Sequence, residues 1–216
     1  MHKYNNRYLN DNESIIRLRR SMGTEMSKRM DMLRMEDTNA SNVPAQYITE
    51  SKRLNQNTKV KSNYEVIFKR AFLEAGHDML YEPLKLPVGR LAQPLGGIYS
   101  YLPDFMMPYH VVDGKTVIIE PHGSNILNMN YLKKMMTVRE MYNVYLVLST
   151  TSNFKMSAIS EDKARTFVNE LWYIEQEKIW GVLGVRQNMR RLMGMAKKTE
   201  DSQVDRLLHI IRSRNA

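Results

Sequence analysis

Cysteine is absent from the 216 residues, which excludes disulfides, thiol catalysis and cysteine-based zinc sites. Histidine is scarce. The five, His2, His77, His110, His122 and His209, show no paired spacing of a zinc motif. No apolar run approaches the ~20 residues that cross a bilayer. The N-terminal segment Met1-His-Lys-Tyr-Asn-Asn-Arg is too polar for a secretion signal. These absences lead us to expect a soluble cytoplasmic protein with no membrane partner.

Basic charge, by contrast, is abundant and unevenly spread. The formal net charge is +9. Residues 1–62 carry 12 basic and 7 acidic side chains, residues 63–150 carry 8 and 8, and residues 151–216 carry 12 and 8. A neutral middle between basic flanks suits a chemical core held against a polyanion. Ordinary solubilising charge is the plainer explanation.

Periodicity predicts an amphipathic helix over 13–35, where Ile15, Leu18, Met22, Met26, Met30 and Leu33 recur at helical spacing. A polar linker follows over 36–62. Ser62 is a candidate N-cap for a helix bearing Tyr64, Ile67, Phe68, Ala71 and Phe72 and ending near Gly76. β-type runs are expected at 79–88, 98–107 and 115–121, a helix at 129–142, and a buried strand at 143–149. Further helices are expected over 160–180 and 186–213. The division is a basic helical N-terminal extension with linker (1–61), a core (62–150) and a helical C-terminal extension (151–216).

The chemistry concentrates at Tyr101-Leu-Pro-Asp-Phe105 and Thr116-Val-Ile-Ile-Glu-Pro-His-Gly123. Asp104 and Glu120 lie at the ends of two β-type runs joined by Asp113-Gly114, a strong hairpin signal. Two neighbouring carboxylates in a basic protein point to a hard-cation site for phosphate chemistry. Register decides whether they meet. A plain two-residue turn pairs Val112 with Lys115 and Met107 with Glu120, leaving Asp104 on the opposite face. A three-residue loop at Gly114, or a bulge near Pro108, brings both carboxylates to one face.

With that order of elements, residues 62–150 resemble the core of the PD-(D/E)XK nuclease superfamily. Its members include type II restriction enzymes, archaeal Holliday junction resolvases and nucleases of archaeal spindle-shaped viruses. The matching parts are a helix bearing Glu65, a strand with Pro103-Asp104, a strand with Glu120-Pro-His122, a helix and a further strand. The resemblance implies an α/β fold with a mixed central sheet flanked by helices. It also implies Mg²⁺ or Mn²⁺ held by Asp104, Glu120 and the Pro121 carbonyl, with Glu65 as a further catalytic acid. The superfamily's third motif ends in lysine, where this chain has His122. His122 as the catalytic cation or base, or Lys134 from the following helix, is the expected replacement.

Each residue also has a plainer role. Glu65 in a first helical turn favours the helix dipole, His122 suits a strand end, and Asp104 suits a turn. Arg186, Arg190, Arg191, Lys197 and Lys198 form a candidate nucleic-acid contact or a solvated face, with Arg186, Arg190 and Lys197 on one side of a helix. The expected activity is metal-dependent hydrolysis of DNA, on duplex or branched substrate, by a homodimer. The rival expectation is a nucleic-acid-binding protein that keeps the nuclease fold without catalysis.

Overall fold

Runs rich in valine, isoleucine and aromatic residues assemble into one mixed sheet in the computed structural model, which describes residues 52–88, 100–123, 129–151 and 161–215. The order is β1 (Lys52–Arg53), α1 (Asn63–Glu74), β2 (Leu80–Tyr81), β3 (Leu86–Pro87), β4 (Ser100–Tyr101), β5 (Phe105–Val112) and β6 (Lys115–Pro121). Then come α2 (Met129–Tyr142), β7 (Val144–Thr151), α3 (Glu161–Phe167), β8 (Glu170–Ile174), α4 (Lys178–Met195), β9 (Lys197–Lys198) and α5 (Gln203–Asn215).

Seven strands form the main sheet in the order β1-β2-β5-β6-β7-β8, with β9 also paired to β5. The β1, β2, β5 and β6 neighbours run antiparallel. The β6–β7 and β7–β8 pairs are parallel. Their crossovers pass through α2 and α3, as parallel pairing demands. Every residue of β7 is buried, the pattern of a strand covered on both faces.

Side-chain alternation divides the core in two. Met106, Ile118, Leu146 and Leu171 pack under α2, α3 and α5. Phe105, Val117, Ile119 and Trp172 pack under α1 and α4 on the other face. Gly181 lets α4 approach α1: a Cβ there would come within 2.9 Å of Ile67 Cγ2. Among the described residues no helix is long and apolar enough to cross a membrane.

The C-terminal third differs from the expected helical extension. The helix expected over 160–180 is α3, then strand β8, then the start of α4. Asn169 breaks the helix, accepting from the Leu146 N–H (2.9 Å) and donating its own N–H to the Leu146 carbonyl (2.9 Å). Glu170-Leu-Trp-Tyr-Ile174 then adds to the sheet beside β7. The helix expected over 186–213 is split because Ala196 turns extended (ψ 142) and Lys197 and Lys198 pair with Val111 and His110. This region therefore supplies sheet strands and helices to both faces. Of the N-terminal extension, residues 1–51, including the helix expected at 13–35, lie outside the described residues. Residues 52–61 provide β1 and its connection to α1.

Glu170 anchors β8. Its buried carboxylate accepts from Tyr145 Oη (2.8 Å), Trp172 Nε1 (2.5 Å) and Arg191 (2.5 Å). Glu170→Ala strands two buried donors, so denaturant unfolding should show a loss of about 3 kcal/mol. Glu170→Gln, which keeps an acceptor, should lose less.

Candidate functional site

The β5–β6 hairpin turns through Asp113 and Gly114, both at positive φ (51° and 71°), the two-residue turn that matches strand twist. Val112 opposes Lys115 and Val111 opposes Thr116. The register then shifts between Met106 and Val111, so that Met106 opposes Ile118 and Phe105 opposes Ile119. The irregular stretch contains Pro108, which has no N–H for the ladder. β5 carries three more residues than β6 across this stretch, an odd number, so the facing of β5 is inverted relative to an unbroken hairpin.

The consequence appears one step beyond the paired residues. The Asp104 N–H donates to Glu120 Oε1 at 2.9 Å, and the Asp104 carbonyl accepts from the Glu82 N–H at 3.0 Å. Asp104 and Glu120 therefore face each other on the side of the sheet that α2 covers. Glu120 is only 3% exposed. Burial first, with the Glu65 charge adding to it, pushes its carboxyl up to about 7. Burial, and then the charges of Glu120, Glu65 and Glu82, push Asp104 up to about 9. Two neighbouring carboxyls raised this far hold on to protons or call for a cation.

α2 brings the surrounding groups. Lys134 Nζ stands 5.0 Å from the centroid of the Tyr101 ring. Burial lowers its pKa, against the pull of the Glu120 and Asp104 charges. Tyr131, three residues earlier on α2, stacks on the His122 ring at 4.8 Å between centroids. Burial, followed by the Glu120 charge, raises the pKa of both Tyr101 and Tyr131. The Tyr101 hydroxyl is buried and interacts with Glu120, lowering the Glu120 pKa while its own is raised. His122 lies just past β6, where its N–H donates to the Ser149 carbonyl at 2.7 Å. Pro121 pairs with Ser149 in the β6–β7 register. Tyr101 heads the Asp104 segment and Tyr131 sits one helical turn before Lys134, but the sequence pattern assigns neither a role at the carboxylates.

Glu65 is buried but occupied. Oε2 accepts from Tyr81 Oη (2.7 Å) and the Lys61 N–H (3.1 Å). Oε1 accepts from the Ser62 hydroxyl (2.8 Å), and that hydroxyl caps the Glu65 N–H (3.1 Å). This reciprocal cap is a structural role, and only the charge of Glu65 reaches Asp104 and Glu120. Among the described residues no three His, Asp or Glu side chains converge on one point that could hold a metal ion. The donor set is two carboxylates, all oxygen, with the buried Tyr101 hydroxyl directed at Glu120. It fits Mg²⁺ or Mn²⁺, ions that bind through one or two carboxylates and retain water.

The five basic residues do not share one face. Arg186 pairs with Glu74 (3.6 Å) and Arg191 with Glu170 (2.5 Å). Lys197, expected on the helix face of Arg186 and Arg190, lies in β9 with Lys198, because α4 ends at Met195. Arg190 is exposed on α4, across the sheet from the carboxylate pair. No protein-family model, curated protein or solved structure matches the chain.

Proposed function

We propose that the chain is a Mg²⁺- or Mn²⁺-dependent nuclease that hydrolyses phosphodiester bonds in DNA, on a core of the restriction-endonuclease type. One observation carries the reading. The β5 bulge sets the half-buried Asp104 opposite the buried Glu120, burial raises both carboxyls, and the Glu120 charge raises Asp104 further. Such an arrangement is unfavourable in a protein that makes no use of it.

In this reading Asp104 and Glu120 hold the ion, with the Pro121 carbonyl as a further oxygen donor. When bound, the ion neutralises charge on the phosphate and lowers the pKa of the attacking water. Lys134 places a cation beside the carboxylates, where the scissile phosphate would lie. His122 and Tyr131, stacked together, border the same space. Glu65 acts as a positioning residue through the α1 cap. DNA, branched or duplex, is the substrate class because the chain carries net +9. Arg190, Lys197 and Lys198 are exposed cations available to its backbone.

The second reading, DNA binding without catalysis, draws on His122 standing where the superfamily has lysine. Isothermal titration with Mn²⁺ and plasmid nicking, on wild type and Glu120→Gln, test both. Wild type should bind Mn²⁺ and nick, and Glu120→Gln should do neither. Equal Mn²⁺ uptake by both proteins removes the site. Mn²⁺ and DNA binding without nicking favours the second reading.

A further inference from the structure

β2 and β9 share the outer edge of β5 and leave a gap between them. β2 pairs with Phe105 and Met106, and β9 with His110 and Val111. Beside the gap opens a cavity of about 880 Å³, a size that suits a small molecule. Its wall includes Arg53 of β1, residues 76–78 after α1, Met107 and Tyr109 of β5, and Met193 of α4. Met107 and Met193 pack in the core under α1 and α4, so the cavity lies across the sheet from Asp104 and Glu120.

Two histidines from different elements meet there. His77 feels the charge of His110, and His110 feels those of Lys198 and Asp78. His110 and Lys198 are direct cross-strand partners, which sets both side chains on one face. The Nδ1 atom of His110 is buried and has no hydrogen-bond partner among the described residues. A buried ring nitrogen left unpaired is unfavourable unless a ligand engages it. The fixed charges of the lining cancel, Arg53 and Lys198 against Asp78 and Glu200, and Arg53 pairs with Asp78 at 3.6 Å. The imidazoles therefore set the sign. Burial lowers the pKa of both, His110 adding to the effect at His77 and Lys198 to that at His110, so both are mainly neutral at pH 7 in the free protein. An anion between them would hold a proton on the pair.

We propose that this cavity binds a phosphomonoester of nucleotide size, its phosphate met by His77, His110 and Lys198 and its remainder lying against Tyr109, Met107 and Met193. A metal ion suits the lining less well. Among the described residues no three His, Asp or Glu side chains converge, and Arg53 and Lys198 would repel a cation. A phosphate spans more widely spaced donors, because its terminal oxygens accept separately. A wholly apolar ligand would leave the His110 nitrogen unpaired. A free nucleotide and a phosphorylated nucleic-acid end carry the same group. The inference stands independently of what the carboxylate pair does.

Isothermal titration of the full chain with AMP tests it, in EDTA so that no ion at Asp104 and Glu120 contributes. The phosphate has a second pKa of about 6 and is already a dianion above pH 7. Affinity should nevertheless fall about tenfold from pH 7 to pH 8, as one imidazole proton is taken up with each AMP. His110→Gln should bind AMP at least about tenfold more weakly at pH 7 and lose most of that slope. Lys198→Gln, at an exposed position, should also weaken binding. Circular dichroism checks the fold of His110→Gln, and His77→Gln repeats the test if that variant is misfolded. Adenosine, which lacks the phosphate, should bind far more weakly than AMP. A DNA hexamer with a 5′-phosphate, set against the same hexamer with a 5′-hydroxyl, identifies the source. Tighter binding of the phosphorylated hexamer than of AMP points to a nucleic-acid end, and the reverse to a free nucleotide; both uphold the phosphomonoester. No binding of AMP up to about 5 mM overturns the proposal. So does an AMP affinity unchanged in His110→Gln and Lys198→Gln, adenosine bound as tightly as AMP, or His110-dependent uptake of Zn²⁺ by a protein that does not take AMP.

Discussion

Asp104→Asn is expected to stabilise the metal-free protein at pH 8, by about 2 kcal/mol, and to abolish the stabilisation that Mn²⁺ gives wild type. The sign follows from the raised carboxyls. Burial, and then the charge of Glu120, brings Asp104 to about 9, and burial brings Glu120 to about 7. Both lie above the ordinary carboxylate range of about 4. Between about pH 4 and 9 the folded protein therefore holds more protons than the unfolded chain, and stability falls as pH rises through that window. An asparagine of the same shape keeps the Asp104 backbone donor to Glu120 and removes the cost of holding at pH 8 a proton that the unfolded chain would have released. For a chain of this size the gain corresponds to roughly 4–8 °C in melting temperature. Thermal unfolding with EDTA and with Mn²⁺, at pH 5 and pH 8, measures it. The difference between variant and wild type should shrink at pH 5, where both carboxyls are protonated in the folded state. A wild type equally stable at both pH values, or a variant still stabilised by Mn²⁺, would show that the two carboxylates neither repel nor share a cation.

The same pair shows what can be read from a sequence and what cannot. The Asp113-Gly114 turn and the flanking β-formers identify the hairpin, because turn chemistry is local. The parity of Asp104 and Glu120 depends on a bulge, and Pro108 gives only its position. That the extra residues number three is set by the simultaneous pairing of β5 with β2, β6 and β9. β8 resembles a helix in sequence because Phe167, Leu171, Trp172 and Ile174 also fit helical spacing. Its strand state comes from pairing with β7 and from the three donors that satisfy Glu170, neither of which leaves a local signal. The helix expected to carry Lys197 stops two residues earlier, since β5 offers Lys197 and Lys198 a strand partner. Glu65 is legible as an acid in a first helical turn, but its burial and its engagement with Tyr81 and Lys61 are tertiary. Tyr101 heads the segment that carries Asp104, yet neither it nor Tyr131 signals a role at the carboxylates. Their relation to Glu120 exists only once α2 lies over the sheet.

Lys134→Ala should lower the rate of Mn²⁺-dependent nicking by about 10²–10³-fold, the usual loss for a group that stabilises developing charge, and His122→Ala should lower it less. Lys134 is partly buried beside Tyr101 and feels both Asp104 and Glu120, so under the proposed function it sets a cation beside the phosphate. His122 stacks on Tyr131 and is better placed to hold that ring than to replace a lysine. The pH profile separates the two. Burial lowers the Lys134 pKa, so if its charge is needed the rate should fall on the alkaline side earlier than an ordinary lysine would dictate. Lys134→Arg, which stays charged, should retain substantial activity and lose that alkaline fall. The acid limb belongs to the carboxylates, whose protons compete with the ion, and should persist in Lys134→Arg. If His122 were the cation instead, the rate would decline as pH rises through the imidazole range near about 6.5, and His122→Lys would remove that decline. Full activity in Lys134→Ala together with loss of activity in His122→Ala would transfer the role to the imidazole. Full activity in both would mean that the charge on the phosphate is met by a group outside α2 and the end of β6.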